Sequence, residues 1–193
     1  MTLNTIELWR SFLQGDNEAF EKLYHLFSDP LYRYGMKFIA NDDIVKDCIQ
    51  DVFVKIYHNR ANLSETENPK LYLLKALKNK LIDRLAADRK HRLEQMSPQD
   101  VRFYVDYYQD PQDETDDEAE IREKFDKVMS LLTDRQKEAL YLRFQMEVSY
   151  QDISLLLDIN YQSARNLVHR AIEKVRAEMN WSVFLVFLLE HVR

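Results

Sequence analysis

Glycine is the scarcest feature of this chain: Gly15 and Gly35 are the only two in 193 residues. Tight hairpins rely on glycine for positive φ, so a chain this poor in it excludes a hairpin-built sheet and points to an all-α protein. Cysteine is almost missing too. Cys48 alone rules out an internal disulfide, and its place in an apolar helical pattern predicts a buried thiol in a reducing compartment. The four prolines, Pro30, Pro69, Pro98 and Pro111, are expected at breaks between periodic segments and never inside one. No apolar run reaches the roughly 20 residues of a membrane span. The longest, Trp181 to Leu189, stops well short, so no membrane insertion is expected. The opening stretch MTLNTIELWRSFLQGD lacks the basic and apolar regions of an export signal, which sets the expected location in the cytoplasm. His25, His58, His91, His169 and His191 are scattered without metal-ligand spacing, and no glycine-rich phosphate loop exists. Hence no catalytic residue, metal or cofactor is expected, and the protein does not read as an enzyme.

What is present is enough apolar surface to fold, with 46% hydrophobic and 12% aromatic residues. The net charge of -6 is unevenly spread. Between Leu93 and Glu120 ten carboxylates face one basic residue, Arg102, so this stretch carries -9 and the remainder +3. A polyanion is bound by local surfaces and not by average charge, so an acidic total does not exclude nucleic acid. The acidic block and its two prolines read as a linker over residues 93–120, although Phe103, Tyr104, Tyr107 and Tyr108 are unusual for a purely solvated one. It separates two small helical domains, 1–92 and 121–180, with an apolar tail at 181–193.

Periodicity predicts the helices. Ile6 to Leu13 forms a first short one, Asp16 caps a second through Phe20, Leu23, Tyr24 and Phe27, and a third follows Pro30 through Leu31, Tyr34 and Phe38. Asn41 or Asp42 caps the next, running to about His58 on Ile44, Val45, Cys48, Ile49, Val52, Phe53, Ile56 and Tyr57. After the loop NRANLSETEN, Asn68 is the cap and Pro69 the first residue of a helix carrying Leu71, Leu74, Leu77, Leu81, Ile82 and Leu85. In the second domain TDRQ at Thr133 to Gln136 fits a capping box, and SYQD at Ser149 to Asp152 repeats the signature. A turn at Leu157 and Asp158 then leads to Asn160, the cap of DINYQSARNLVHRAIEKVR, Asp158 to Arg176.

Two helices joined by a tight turn, the second opening with polar residues over the small apolar face Ala164, Val168, Ala171 and Val175, fit a helix-turn-helix, with a plain helical hairpin of solvated basic residues as the alternative. Tyr161, Gln162, Ser163, Arg165 and Asn166 are then the candidates for base edges, and Arg170, Lys174 and Arg176 for phosphates. The stretch KALKNKLIDRLAADRKHR, Lys75 to Arg92, sets seven Lys or Arg against Asp83 and Asp88, which suits a solvated face, a membrane-surface helix or a nucleic-acid track.

DNEAFEKLYHLF, LYRYGMKF, DCIQDVFVKIY and LKNKLIDRLAADR, followed by LLTDRQKEALYLRFQMEVSYQDISLLLDINYQSARNLVHRAIEKVR, together resemble a bacterial sigma factor of the extracytoplasmic-function (ECF) class in the sigma-70 family. The resemblance implies core RNA polymerase and promoter DNA as partners, with an anti-sigma factor as a further one. It implies polymerase contact through Asp47, Gln50 and Asp51, whose i, i+3 and i+4 spacing allows one polar patch. It also implies that residues 59–68 and the helix beyond capture the minus-ten element as single-stranded DNA. Asn79 and Asp83 match the family's pattern there, and Lys78, Lys80, Arg84 and Arg89 are the candidates for the backbone. Tyr57 and Tyr72 suit either base stacking or the core. The second domain resembles the reader of the minus-thirty-five element, except that Leu167 stands where many members have a basic residue.

LTDRQKEALYLRF with a helix-turn-helix is also similar to the DNA-binding domain of LuxR-type regulators, so an autonomous regulator is the alternative. The all-helical first half argues against it, because such regulators usually carry an α/β sensing module. For the tail WSVFLVFLLEHVR two readings stand: a last helix packed on its own domain, or a docking site for an anti-sigma factor or second subunit.

Overall fold

The computed structural model describes residues 4–90, 102–105 and 116–191, with side chains omitted at 88–90, 116–117 and 190–191. Among these residues all regular structure is helical. The chain divides into two compact units, Met1–Val101 and Arg102–Arg193. No described helix is long and apolar enough to cross a membrane.

The first unit holds α1 (Thr5–Leu13), α2 (Asn17–Met36), α3 (Asp42–His58) and α4 (Pro69–Lys90). Each start has a local cause: Asp16 accepts from the N–H groups of Glu18 and Ala19, Asn41 from Ile44 and Asn68 from Leu71. Each cap satisfies donors that a helix start otherwise leaves without partners. The core joins Leu23, Phe27, Leu31 and Tyr34 of α2 to Val45, Ile49 and Val52 of α3 and Leu73, Leu74, Leu77 and Leu81 of α4, all buried. Cys48 is buried among them, and burial pushes its thiol pKa up.

Pro30 corrects the sequence reading. It lies inside α2, where a break between two helices was expected. Proline removes one backbone donor and leaves the carbonyl four residues back without its helical partner. Here that carbonyl belongs to the exposed Leu26, where water can serve it, while Phe27 and Leu31 on either side stay buried and hold the helix together. Pro69 does begin a helix; Pro98 and Pro111 lie outside the described residues.

The second unit holds α5 (Asp116–Leu131), α6 (Asp134–Leu140), α7 (Tyr150–Leu156), α8 (Tyr161–Glu178) and α9 (Trp181–His191). Helix α5 begins at Asp116, inside the stretch read as linker. The carboxylates at 116–118 that suggested a solvated tether suit the positive end of a helix dipole, and Glu120 pairs one turn on with Lys124 at 2.6 Å. Upstream, Phe103 is buried edge-on against Tyr141 at 5.6 Å, and its N–H donates to Asp134 Oδ1 at 3.2 Å. This part of the expected linker therefore belongs to the second unit's core; Tyr107 and Tyr108 lie outside the described residues.

Helix α6 opens with the capping box in full, Thr133 and Gln136 each accepting from the other's N–H. It runs on as a π-helical turn, Tyr141–Gln145, whose wider backbone ends in positive φ at Glu147. The tail packs on its own unit. Phe184 stacks on Phe125 at 5.3 Å, Phe187 reaches the same ring at 4.8 Å, Trp181 meets Phe144 at 5.1 Å, and Gln145 Nε2 donates to the Leu188 carbonyl at 2.6 Å. Val183, Val186 and Leu189 remain on the outer side.

Candidate nucleic-acid interface

Helices α7 and α8 carry the candidate duplex-reading surface. Ser149 accepts from Asp152 N–H to start α7, and Asn160 accepts from Ser163 N–H at 2.7 Å to start α8. Asp158 between them has φ +52°, a left-handed conformation that Asp adopts more readily than most residues. Ala164, Val168, Ala171 and Val175 are fully buried, and their small size lets α8 approach α6 and α7 closely. The opposite face is therefore fixed outward.

Gln162, Asn166 and Arg170 follow one another along that face at i, i+4 and i+8, all exposed. Gln162 Nε2 donates to Asn166 Oδ1 at 3.1 Å, a short amide pair of the kind that reads adenine edges. Arg165 is exposed on one flank, and Tyr161 is exposed at the first turn. Neither Arg165 nor Arg170 has a hydrogen-bond or ion-pair partner among the described residues, so both guanidinium groups are available. Ser163 is half-buried and serves the cap through its backbone. Leu167, beside Val168, is half-buried and extends the apolar face as a basic residue could not.

Lys174, expected at a phosphate, has partners inside the unit. Its ammonium donates to the Leu131 carbonyl at 2.8 Å and to Gln136 Oε1 at 3.1 Å, so it is engaged within the unit. A charge on a helix looks solvated from sequence alone. Only the folding of α5 and α6 against α8 brings these acceptors to it.

In the first unit the residues of interest line two grooves flanking α3. Asp47, Gln50 and Asp51 all lie on its exposed ridge but lean apart. Asp51 turns to α4, where Lys80 Nζ meets it at 2.6 Å, a hydrogen bond that raises the lysine pKa. Gln50 lines the other groove with Phe20, Tyr24, Phe53 and Val54. The patch expected from their spacing is thus a ridge with two different flanks.

The groove between α3 and α4 holds about 450 Å³ and gathers Asn79, Lys80, Asp83 and Tyr72 with Lys55 and Lys75. The last two were missed as candidates. Lys75 lies one turn before Asn79 on the same face, a signal already in the sequence, whereas Lys55 is brought in by the packing of α3. Arg84 lines a smaller adjoining groove with Asp47 and Cys48. Lys78 leans the other way, 5.9 Å from the Phe38 ring, so it does not join this set. Arg89 falls on α4, and its side chain lies outside those described. Tyr72 is both core and surface: its ring packs on Trp9 at 5.2 Å, it stays 36% exposed, and burial raises its pKa. Tyr57 is half-buried, donates to Asn17 Oδ1 at 3.2 Å and packs on Phe20.

The loop over residues 59–68 is held from outside. Trp9, fully buried, donates its indole N–H to the Ser64 carbonyl at 3.3 Å, and Arg10 pairs with Glu65 at 3.0 Å. Arg60 lies over the Tyr57 ring at 5.0 Å. Helix α1 therefore braces the loop.

Comparison with known proteins matches this division. The family model "Sigma-70 region 2" fits residues 23–91, and "Sigma-70, region 4" fits residues 122–175. The ECF RNA polymerase sigma factor SigM of Bacillus subtilis (strain 168) is 24% identical over 165 residues, covering 84% of this chain and 96% of that protein. Among solved structures, CnrH in complex with the cytosolic domain of CnrY superposes with a TM-score of 0.60 at 18% identity, over 90% of this chain and 96% of that one. The sigma factor RpoE of Bartonella quintana, in complex with the anti-sigma factor NepR, does so at 0.58 and 18%, over 82% and 94%. These two likenesses show a common helical fold. With both sigma-70 regions present in order, and a relative matched over most of both lengths, the chain belongs to the sigma-70 family as an ECF-class sigma factor, a protein of promoter recognition and transcription initiation.

Proposed function

We propose that the two units divide this work between polymerase attachment with strand capture and duplex reading. The first unit docks on core RNA polymerase through the α3 ridge, with Asp47 and Gln50 as principal contacts and Asp51 oriented by Lys80. The groove of Asn79, Lys80, Asp83, Lys55 and Lys75 then follows the separated minus-ten strand, with Tyr72 at its wall as the stacking surface. Separating strands costs a few kcal/mol per base unstacked, and cationic and aromatic contacts offset part of it. The second unit places α8 in the major groove of the minus-thirty-five element. Gln162 and Asn166 face base edges there, and Arg165 and Arg170 serve bases or phosphates.

The observation that carries this reading is α8 itself. Its buried face is complete, and its opposite face is polar, cationic and unengaged at Arg165 and Arg170. The acidic stretch that joins α4 to α5 supplies connection and charge, and the setting is the cytoplasm, where polymerase works. We also assign the protein an anti-sigma partner, because CnrH and RpoE are each seen with a partner, named for RpoE as an anti-sigma factor.

The test is run-off transcription by purified core polymerase from a promoter library, with and without the protein. Protein-dependent starts sharing a two-part upstream sequence are expected. DNA binding without core and no initiation would refute the reading and favour the autonomous LuxR-type regulator.

A further inference from the structure

Lys174 lies on the flank of α8, away from the amide pair of Gln162 and Asn166, and three elements meet at its ammonium. The Leu131 carbonyl that accepts from it at 2.8 Å ends α5 and is one of the acceptors a helix leaves without an internal partner. A cation there also faces the negative end of the α5 dipole. Gln136 Oε1, the second acceptor at 3.1 Å, belongs to the capping box that starts α6, where it also accepts from Thr133 N–H at 3.1 Å. One ammonium thus ties the end of α5, the start of α6 and the C-terminal third of α8. Nearer the end of α8, Glu178 meets Lys127 of α5 at 2.7 Å, so α8 is braced to α5 at two heights.

We infer that Lys174 is a positioning residue for upstream-element recognition: it sets the rotation of α8 on the α5–α6 corner and thereby the direction in which Gln162, Asn166 and Arg170 meet the DNA. The inference rests on the reading of α8 as the helix that enters the major groove. The alanine and valine contacts beneath α8 decide which face is buried, but small, non-directional contacts leave its fine rotation unset. Directional hydrogen bonds from a charged donor supply that constraint. Two of the three ammonium donors are held within the unit, which leaves at most one for a phosphate while the tie stays whole.

The test uses holoenzyme reconstituted with wild type, Lys174→Met, Gln136→Met, Gln136→Glu or Arg170→Ala. Each binds duplex promoter DNA with a randomised upstream element at several salt concentrations, and the bound DNA is sequenced. Gln136→Glu keeps an acceptor for both Thr133 and Lys174, so it guards against reading simple misfolding as loss of position. Lys174→Met and Gln136→Met are expected to reduce the preference for the wild-type enriched sequence roughly tenfold, the scale of one charge-assisted hydrogen bond. Gln136→Glu should retain the preference, and the salt slope of binding by the pooled DNA should be unchanged in all three. A phosphate-contact lysine would instead lower that slope by about 0.9 with the enriched sequence intact, which overturns the inference. A lower melting temperature with the enriched sequence intact overturns it too, since Lys174 would then serve stability only. Wild type enriching no upstream sequence removes the reading of α8 itself. Enrichment that Arg170→Ala weakens and Lys174→Met leaves whole removes the inference alone.

Discussion

Substituting Gly35 by alanine tests how tightly α2, α3 and α4 are fitted together. In an open helix this change would stabilise by about 1 kcal/mol, because glycine loses the most backbone entropy on folding. Here a Cβ on Gly35 would meet Val45 Cγ1 at 2.7 Å, with Leu77 Cδ2 and Leu81 Cδ1 each at 3.7 Å. The first contact is about 1 Å inside the optimum between carbons. Val45 is fully buried, and a β-branched side chain in a helix has one strongly preferred rotamer, so it cannot swing aside. Overpacking of this kind costs about 1–3 kcal/mol, and so rigid a neighbour places Gly35 in the upper part of that range, which leaves a net loss of about 1–2 kcal/mol after the propensity gain. For a unit of this size that lowers the melting temperature by roughly 4–8 °C per kcal/mol. The assay is thermal unfolding of the full chain, with hydrogen exchange at α2, α3 and α4 amides assigning the loss to the first unit. Val45→Ala should cost less in the Gly35→Ala background than alone, because it removes the offending methyl. An unchanged or raised melting temperature, or strictly additive single variants, would refute the steric argument.

Three further outcomes are expected. Trp9→Phe keeps a ring in the core but deletes the donor to Ser64, so amide exchange over residues 59–68 should rise several-fold, roughly the worth of one hydrogen bond, while the middle of α4 is unaffected. Equal exchange in both proteins would show that α1 does not brace the loop. Thr133→Ala removes the capping box of α6 and should lower the stability of the second unit by about 1 kcal/mol, read from a melt of the full chain. The Asp42 carboxylate accepts from Lys46 at 2.6 Å and from the Tyr32 hydroxyl, and these bonds hold its pKa below the ordinary Asp value. Its contribution to stability is therefore present above the unfolded Asp pKa and fades as pH falls through the depressed one. A carboxyl NMR titration should show the low midpoint, moving up in Lys46→Met.

The caps were the most legible part of the fold. Asp16, Asn41, Asn68, Thr133, Ser149 and Asn160 each act on an N–H within three residues, so the whole interaction is contained in a short stretch of sequence. The face of α8 was legible for the same reason, since helical spacing alone separates Ala164 and Val168 from Gln162 and Asn166. Pro30 was misread because the local rule weighs a lost hydrogen bond, whereas the burial of Phe27 and Leu31 that outweighs it comes from α3 and α4. The neighbours of Lys174 and Gln50 were not legible because they are remote in the chain. Leu131 precedes Lys174 by 43 residues, and no periodicity connects them. The docking of Phe103 left only a trace in the sequence, an aromatic where a solvated tether was expected.

If residues 59–68 help to capture the minus-ten strand, as the resemblance implies, the brace from α1 bears on how fast and how selectively that happens. A loop that must first be ordered charges every sequence the same entropic toll, which weakens binding without distinguishing one base from another. With Trp9 and Arg10 holding Ser64 and Glu65, that ordering is completed when the protein folds, before any DNA arrives. What then remains to decide the outcome of an encounter is the fit of the base itself. Helix α1 lies wholly upstream of the residues matched by the region 2 family model, so the part of the chain that prepares the loop is not the part by which the family is recognised.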